Sequence, residues 1–301
     1  MFELRRLRLL HEFALRGTVA EVARSLSYSP STVSQQLALL EREAGVTLLE
    51  PDGRRIRLTP EGRLLAAHAA RALELDEQAR QALTRTPAEA VRISAMPTAA
   101  ETIVPAALTA LAVAHPHLRV EMTEAPPEEG LFELTARRFD LVIAEQYPGH
   151  TRERHGGNVH ELIGEDPIRL ALPPGEHASP LDRLHDRPWV MEPTGSAARQ
   201  WAVQQCRAAG FDPDVRFEAA DLTAHVRLIE AGHAVGMLPD LIWGEAPAQV
   251  TLAELPGSPV REVFTAVRDS ARGSEAIGAV RAALTQAFAQ HRRPRPTARR
   301  R

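Results

Sequence analysis

Between Pro30 and Leu40 the run PSTVSQQLALL sets Ser31, Thr32, Ser34, Gln35 and Ala38 on one side of a helix, with Val33, Leu37 and Leu40 on the other. An apolar stripe at i, i+4 and i+7 anchors such a helix, so the small polar face is free to meet a partner. Set into a DNA major groove, its hydroxyls, methyls and one bidentate amide reach adenine edges, thymine methyls or phosphates, and Gln35 is the best single base reader. Taken alone, the same face is equally a solvated surface. Arg54 and Arg55 sit at a hairpin tip, where cations meet backbone phosphate or the minor groove and add salt-dependent affinity rather than sequence readout. Twelve histidines, among them His115, His117, His150, His155 and His160, raise the question of a metal. No cysteine cluster or helical H-x-x-x-H pair supports one, so no metal site is expected. Cys206 stands alone, which excludes an intramolecular disulfide and points to simple packing.

The elements that position the polar face follow from the flanking residues. Leu4, Leu7, Leu10 and Ala14 recur at helical spacing and Gly17 stops that helix. Thr18-Val19-Ala20-Glu21 reads as a capping box for a short second helix carrying Val22, Ala23 and Leu26. Ser29 serves as N-cap of the third helix and Pro30 suits its first position, where a missing N–H costs nothing. Thr47 to Leu58 reads as a hairpin about the tight-turn pair Asp52-Gly53. Three helices and a hairpin make a winged helix-turn-helix, expected at residues 1–59. Thr59-Pro60 then opens a helix running to about Arg85, long for a small domain. Leu65, His68, Ala72, Leu75, Ala79 and Ala82 keep 3-4 spacing along it, so residues 60–87 are expected to be a linker and dimerisation helix.

From Val91 strands alternate with helices, which implies α/β architecture with parallel pairing. The expected order is strand 91–94, helix 99–114, strand 118–122, helix 128–137 and strand 140–144, then a Gly- and His-rich loop at 149–157. A second set follows: strands 168–172 and 189–191, helix 197–209, strand 215–219, helix 222–231 and strand 234–238. A strand at 263–268 returns the chain to the first sheet, helix 274–290 closes it, and residues 292–301 form an Arg-rich tail.

The stretch Leu7–Ala72 strongly resembles the DNA-binding end of LysR-type transcriptional regulators, and the resemblance continues more weakly to about Gln290. It rests on Val22-Ala23-Arg24-Ser25-Leu26, the SPSTVSQQ run of Ser29 to Gln36, Leu39 to Glu43, Gly45-Val46 and Gly53 to Gly62. Pro188-Trp189-Val190, Ile229 to Gly232 and Val235 to Pro239 look like the second lobe of that family's effector domain. Pro51 departs from the family, which usually carries an arginine there, and so do Leu49 and Val19, where aromatics are usual. The resemblance implies an α/β multidomain protein whose two-lobed effector domain of the periplasmic-binding-protein type covers 88–291, with lobe 1 at about 88–162 and 264–291 and lobe 2 at about 163–263. It also implies a homodimer or homotetramer that binds double-stranded DNA at an inverted-repeat operator and responds to a small-molecule effector. Ser29, Pro30, Ser31, Thr32, Ser34, Gln35, Arg54 and Arg55 are the expected DNA-contacting residues.

An effector pocket is expected between the lobes, where strand ends meet helix N-termini. Ala95, Met96, Pro97 and Thr98 lead into one helix, with Thr98-x-x-Glu101 reading as a capping box, and Thr194, Gly195 and Ser196 lead into another. Paired N-termini favour an anionic group such as a carboxylate, although Thr98 and Ser196 could simply cap their helices. Composition agrees with a site-specific DNA binder. The net charge is −3, yet residues 1–66 hold ten arginines against eight carboxylates, and the remaining 26 basic and 31 acidic residues lie beyond. Met1–Arg16 carries Glu3, Glu12 and four arginines where a secretory signal needs an apolar core, and no run is long and apolar enough for a membrane span, so a cytoplasmic protein is expected. No nucleophile elbow, phosphate loop or dinucleotide fingerprint is present, so neither enzyme activity nor a cofactor is expected.

Overall fold

A computed structural model describes residues 1–53, 55–83, 90–149, 157–177, 180–243 and 249–291 of the chain. It divides into two compact units, Met1–Thr86 and Pro87–Arg301.

In the first unit, α1 (Leu4–Arg16) ends at Gly17, whose φ of 75° lets its N–H reach the Phe13 carbonyl. The turn into α2 (Val19–Ser25) uses Thr18, whose hydroxyl accepts from Glu21 N–H at 3.2 Å, while the Glu21 carboxylate grips Arg24. α3 (Pro30–Ala44) buries Val33, Leu37 and Leu40 against α1 and α2. Strands β1 (Leu49–Asp52) and β2 (Arg55–Leu58) pair antiparallel from Leu49↔Leu58 to Asp52↔Arg55. Asp52 is thus the last paired residue, and Gly53, at φ 62°, enters the turn one position later than expected.

α4 (Pro60–Leu83) starts at Thr59, whose hydroxyl donates to the Thr47 carbonyl at 2.8 Å and accepts from Gly62 N–H at 2.9 Å. Gly62, Ala66, Ala69 and Leu73 form its buried stripe, of which Ala66 and Ala69 belong to the winged-helix core. Of the expected pairing seam, Leu65 and Ala72 pack on this same core, whereas His68, Leu75 and Ala79 are exposed, as is Leu64. The apolar face left open therefore centres on Leu64 and Leu75.

In the second unit, β3 (Ala90–Ala95), α5 (Pro97–Glu101), α6 (Ile103–Ala114), β4 (Arg119–Glu124), α7 (Pro127–Thr135) and β5 (Leu141–Gln146) build the first lobe. The single helix expected over 99–114 is two helices that meet at Thr102. β6 (Asn158–Leu172) then runs from this lobe into the next, ten residues longer at its start than the strand expected over 168–172. β7 (Pro188–Met191), α8 (Ala197–Ala208), β8 (Asp214–Glu218), α9 (Leu222–Glu230), β9 (Gly236–Pro239) and β10 (Thr251–Glu254) form the second lobe. β11 (Val260–Arg268) carries the chain back, and α10 (Glu275–His291) packs on the first lobe.

The pairing is mixed rather than wholly parallel. The strand order is β10-β6-β11-β5-β3-β4, with β9 also on β6; β3 pairs parallel with β4 and β5, but β5-β11, β11-β6, β6-β9 and β6-β10 are all antiparallel. β7 and β8 pair parallel in their own two-stranded sheet. Two strands, β6 and β11, thus cross between the lobes side by side and form the hinge. Where they bulge, between Val263 and Phe264, Gly164 has no side chain because a Cβ would lie 2.3 Å from the Phe288 ring of α10. Among the described residues, no helix is long and apolar enough to cross a membrane.

Candidate DNA-contacting helix and effector cleft

The polar face of α3 is set by its cap. Ser29 Oγ accepts from Thr32 N–H at 3.1 Å and lies 2.8 Å from the hydroxyls of both Ser31 and Thr32, so one capping oxygen orders the first turn. Ser29, Pro30, Ser31, Ser34 and Gln35 are exposed and Thr32 half-buried. Neighbouring Gln36 is instead committed to the fold, accepting from Arg6 Nε at 3.1 Å. Glu41, on the same helix, was not singled out by sequence reasoning. Its carboxylate accepts from the N–H groups of Leu48 and Leu49 at 2.8 and 3.0 Å, tying the hairpin's entry to the helix. On the hairpin Arg55 is exposed, Arg57 pairs with Glu50 at 3.0 Å, and Arg54 lies outside the described residues.

The loops expected to hold an effector fare differently. Ala95 and Met96 are buried in the first lobe's core, with Met96 N–H donating to the Ile143 carbonyl at 3.1 Å. The Thr98 capping box does not form: Met96 is the N-cap, without a side-chain bond, Pro97 takes the first helical position, and Thr98 lies inside α5. Its buried hydroxyl accepts from Arg261 Nη2 at 2.9 Å. In the second lobe, Ser196 caps α8 as expected, accepting from Arg199 N–H at 3.2 Å. Thr194 is exposed and donates to Glu218 at 3.2 Å, and Gly195 makes the turn with φ 98°.

The groups that define the cleft are ones the sequence did not advertise. Arg261 of β11 and Asp166 of β6 are cross-strand neighbours in the hinge, each side chain 3% exposed. Arg261 Nε and Nη2 both reach Asp166 Oδ2 at 2.9 Å, and Asp166 Oδ1 accepts from Leu241 N–H at 2.9 Å. This ion pair is held by the Thr98 hydroxyl and the Leu241 N–H. Burial lifts the Asp166 carboxyl against the opposing pull of Arg261. The Tyr147 phenol, just past β5, hydrogen-bonds Arg261, and its ring stands 5.6 Å from Trp201 of α8. Beside them Tyr147, Met191, Glu192, Arg199, Trp201, Leu222, His225 and Met237 line a cavity of about 20 Å³. That holds roughly one water. Burial and the nearby Glu145 push the Glu192 carboxyl up to about 7. His225 is buried, with Nε2 2.8 Å from the Ala219 carbonyl, and burial lowers its pKa.

Among the described residues no group of three His, Cys, Asp or Glu could hold a metal ion, and His150 and His155 lie outside them. Cys206 is fully buried in α8, and burial raises its thiol to about 12.

Together these features define a class, a winged helix-turn-helix joined to a two-lobed ligand-binding domain. Residues 4–63 match the family model described as the bacterial regulatory helix-turn-helix protein, lysR family, and residues 84–289 match the LysR substrate binding domain. The chain belongs to the LysR family of bacterial transcription regulators; it is not an enzyme. Similar proteins include the transcriptional dual regulator GltC of Bacillus subtilis, 28% identical over 83% of this chain and 85% of that protein. A probable hydrogen peroxide-inducible genes activator of Mycobacterium avium is 31% identical over 72% of this chain and 71% of its own length. Among solved structures, full-length OxyR from Pseudomonas aeruginosa shares the fold with a TM-score of 0.67 at 19% identity, covering 94% of this chain and 95% of that one. Full-length CbnR complexed with its target DNA aligns with a TM-score of 0.53 at 22% identity, over 95% and 100%.

Proposed function

We propose that this regulator sets the N-terminal half of α3 in the major groove of an inverted-repeat operator. Ser29, Pro30, Ser31, Thr32, Ser34 and Gln35 would meet the DNA, Gln35 reading a base edge, and Arg54 and Arg55 would hold phosphate. The observation that carries this is the division of α3 into a buried apolar stripe and an exposed polar face ordered by the Ser29 cap. The protein works in the cytoplasm as a homodimer or homotetramer, and residues 1–59, 60–87 and 88–291 act as DNA reader, linker helix and effector domain. A small-molecule effector enters the cleft between the lobes, meeting the Thr98 side on one and Thr194, Gly195 and Ser196 on the other. It acts by shifting the population of lobe arrangements, and so the spacing of recognition helices on DNA.

Peroxide sensing of the kind that the Mycobacterium avium relative's name suggests is not favoured here. With one buried, protonated thiol, Cys206 has neither the reactivity nor the partner for a dithiol switch.

The test is binding to the protein's own upstream DNA against random DNA at physiological salt. Preference for the upstream fragment is expected, and equal binding would sink the proposal. Gln35→Ala should relax preference at one operator position by about 1–3 kcal/mol while leaving the salt dependence unchanged. Uniform weakening on every sequence would make Gln35 a phosphate contact instead.

A further inference from the structure

We propose that Arg6 of α1 is a positioning residue for DNA reading: through Gln36 and Glu43 it fixes the rotation of α3, and so the direction in which Gln35 projects. This rests on α3 being the DNA-reading helix and concerns what holds that helix in register.

The apolar side of α3 sets the depth of the helix more firmly than its rotation. Val33, Leu37 and Leu40 hold it against α1 and α2 by burial, and the hydrophobic effect has no direction of its own. Base reading is less forgiving. A side-chain tip stands about 5–6 Å from a helix axis, so a roll of about 10° carries it about 1 Å. Hydrogen-bond lengths span only about 2.7–3.2 Å, so a bidentate amide contact does not survive such a displacement.

Arg6 supplies the missing direction. Gln36 and Glu43 stand at i and i+7 on α3, about two turns apart, with buried Leu40 between them at i+4. Arg6 reaches across from α1 to both: Nε donates to Gln36 Oε1 at 3.1 Å and Nη1 to the Glu43 carboxylate. Nη2 lies 2.9 Å from Glu3 Oε2, at the start of Arg6's own helix. A planar guanidinium fixed by three partners cannot follow α3 if it rolls. The Arg6 side chain is 18% exposed, so water competes weakly for these bonds. On the hairpin side Glu41 holds the same helix, accepting from the N–H groups of Leu48 and Leu49. Directional bonds thus tie α3 to α1 and to the hairpin, and the α1 tie falls on the residue next to Gln35.

Two substitutions separate grip from charge. Lysine at position 6 keeps the charge, but one ammonium cannot reproduce the fork that meets Gln36, Glu43 and Glu3 together. Gln36→Ala removes the same tie from the α3 side and changes no charge.

The experiment titrates the full chain with its upstream DNA fragment and with copies carrying each single base substitution, at several salt concentrations, alongside the Tm of each variant. Arg6→Lys and Gln36→Ala should each lower discrimination at the position read by Gln35 by about 3–10-fold, roughly half of a bidentate contact's worth on a logarithmic scale, with the salt slope unchanged. In a Gln35→Ala background neither should lower discrimination there any further, because no amide remains to be aimed. A fall in Tm without that loss of discrimination, or an even weakening on every sequence, would reduce Arg6 to a stabilising or electrostatic role and overturn the proposal. Additive losses in the double variants also count against it, since Arg6 would then act independently of Gln35. If Gln35→Ala relaxes no position, the assigned base reader is wrong and this inference falls with it. Relaxation in Gln35→Ala but in neither of the other two variants removes the positioning role alone.

Discussion

Arg261 and Asp166 lie 95 residues apart and become neighbours only through the register of β11 on β6. Neither sits in a motif, so nothing in the sequence marks them. A buried ion pair stabilises little by itself, because desolvating two charges offsets most of their attraction. Removing one partner is another matter, since it strands a charge in the hinge. Arg261→Met should lower the stability of the second unit by about 3–5 kcal/mol, and adding Asp166→Leu should restore most of the loss. Following the effector domain's thermal transition in single and double variants checks this. Equal losses in both would show that the pair acts through packing rather than charge. Thr98 belongs to the same group: its hydroxyl completes the Arg261 donor set, which is why the capping role that Thr98-x-x-Glu101 suggested goes unfilled.

At the level of elements, the joint between the hairpin and α4 turns on Gly62. Helix propensity alone favours alanine there by about 1 kcal/mol. A Cβ at Gly62, however, would stand 2.1 Å from the Leu48 carbonyl oxygen, which is backbone tied into the β1 approach by Glu41. Overpacking of this kind costs about 1–3 kcal/mol, so the clash should win. Gly62→Ala is expected to lower the stability of the first unit and weaken DNA binding through a displaced wing; a more stable variant with unchanged DNA binding would refute it. The first unit was legible because its boundaries are local: Gly17, Thr18, Ser29, Gly45 and Thr59 each stop or start a helix with atoms a few residues away. The second unit was legible in its βα alternation but not in its pairing. Asn158–Asp166 is rich in charge and pairs only because β11, a hundred residues on, lies beside it, and such partners leave no periodic trace. The expectation of parallel pairing failed at these crossing strands for the same reason. The exposed polar face could be read from α3 alone, whereas the cleft, assembled from β5, β6, the β7–α8 loop and β11, could not.

For the molecule as a whole, the balance of charge differs between its parts: arginine slightly outnumbers carboxylate in residues 1–66, and in the second unit burial raises the Glu101 and Glu192 carboxyls. The second feature makes stability depend on pH in a direction that can be worked out. Glu192 titrates at about 7 in the folded chain and near 4.5 when unfolded, so the folded state favours the protonated form. Its contribution is fully present below about 4.5 and is lost as pH rises through 7. Glu101, also raised, acts in the same sense. His225 opposes them, since its lowered pKa favours the neutral ring and that contribution is lost as pH falls. Comparing the chain with its Glu192→Gln variant removes these shared terms, because glutamine does not titrate. Their stability difference should grow in the variant's favour from pH 5 to pH 8, reaching about 1–3 kcal/mol once solvent screening at this half-buried site is allowed for. Parallel profiles for the two chains, measured by thermal unfolding across this range, would show that burial does not raise the Glu192 carboxyl in the folded chain.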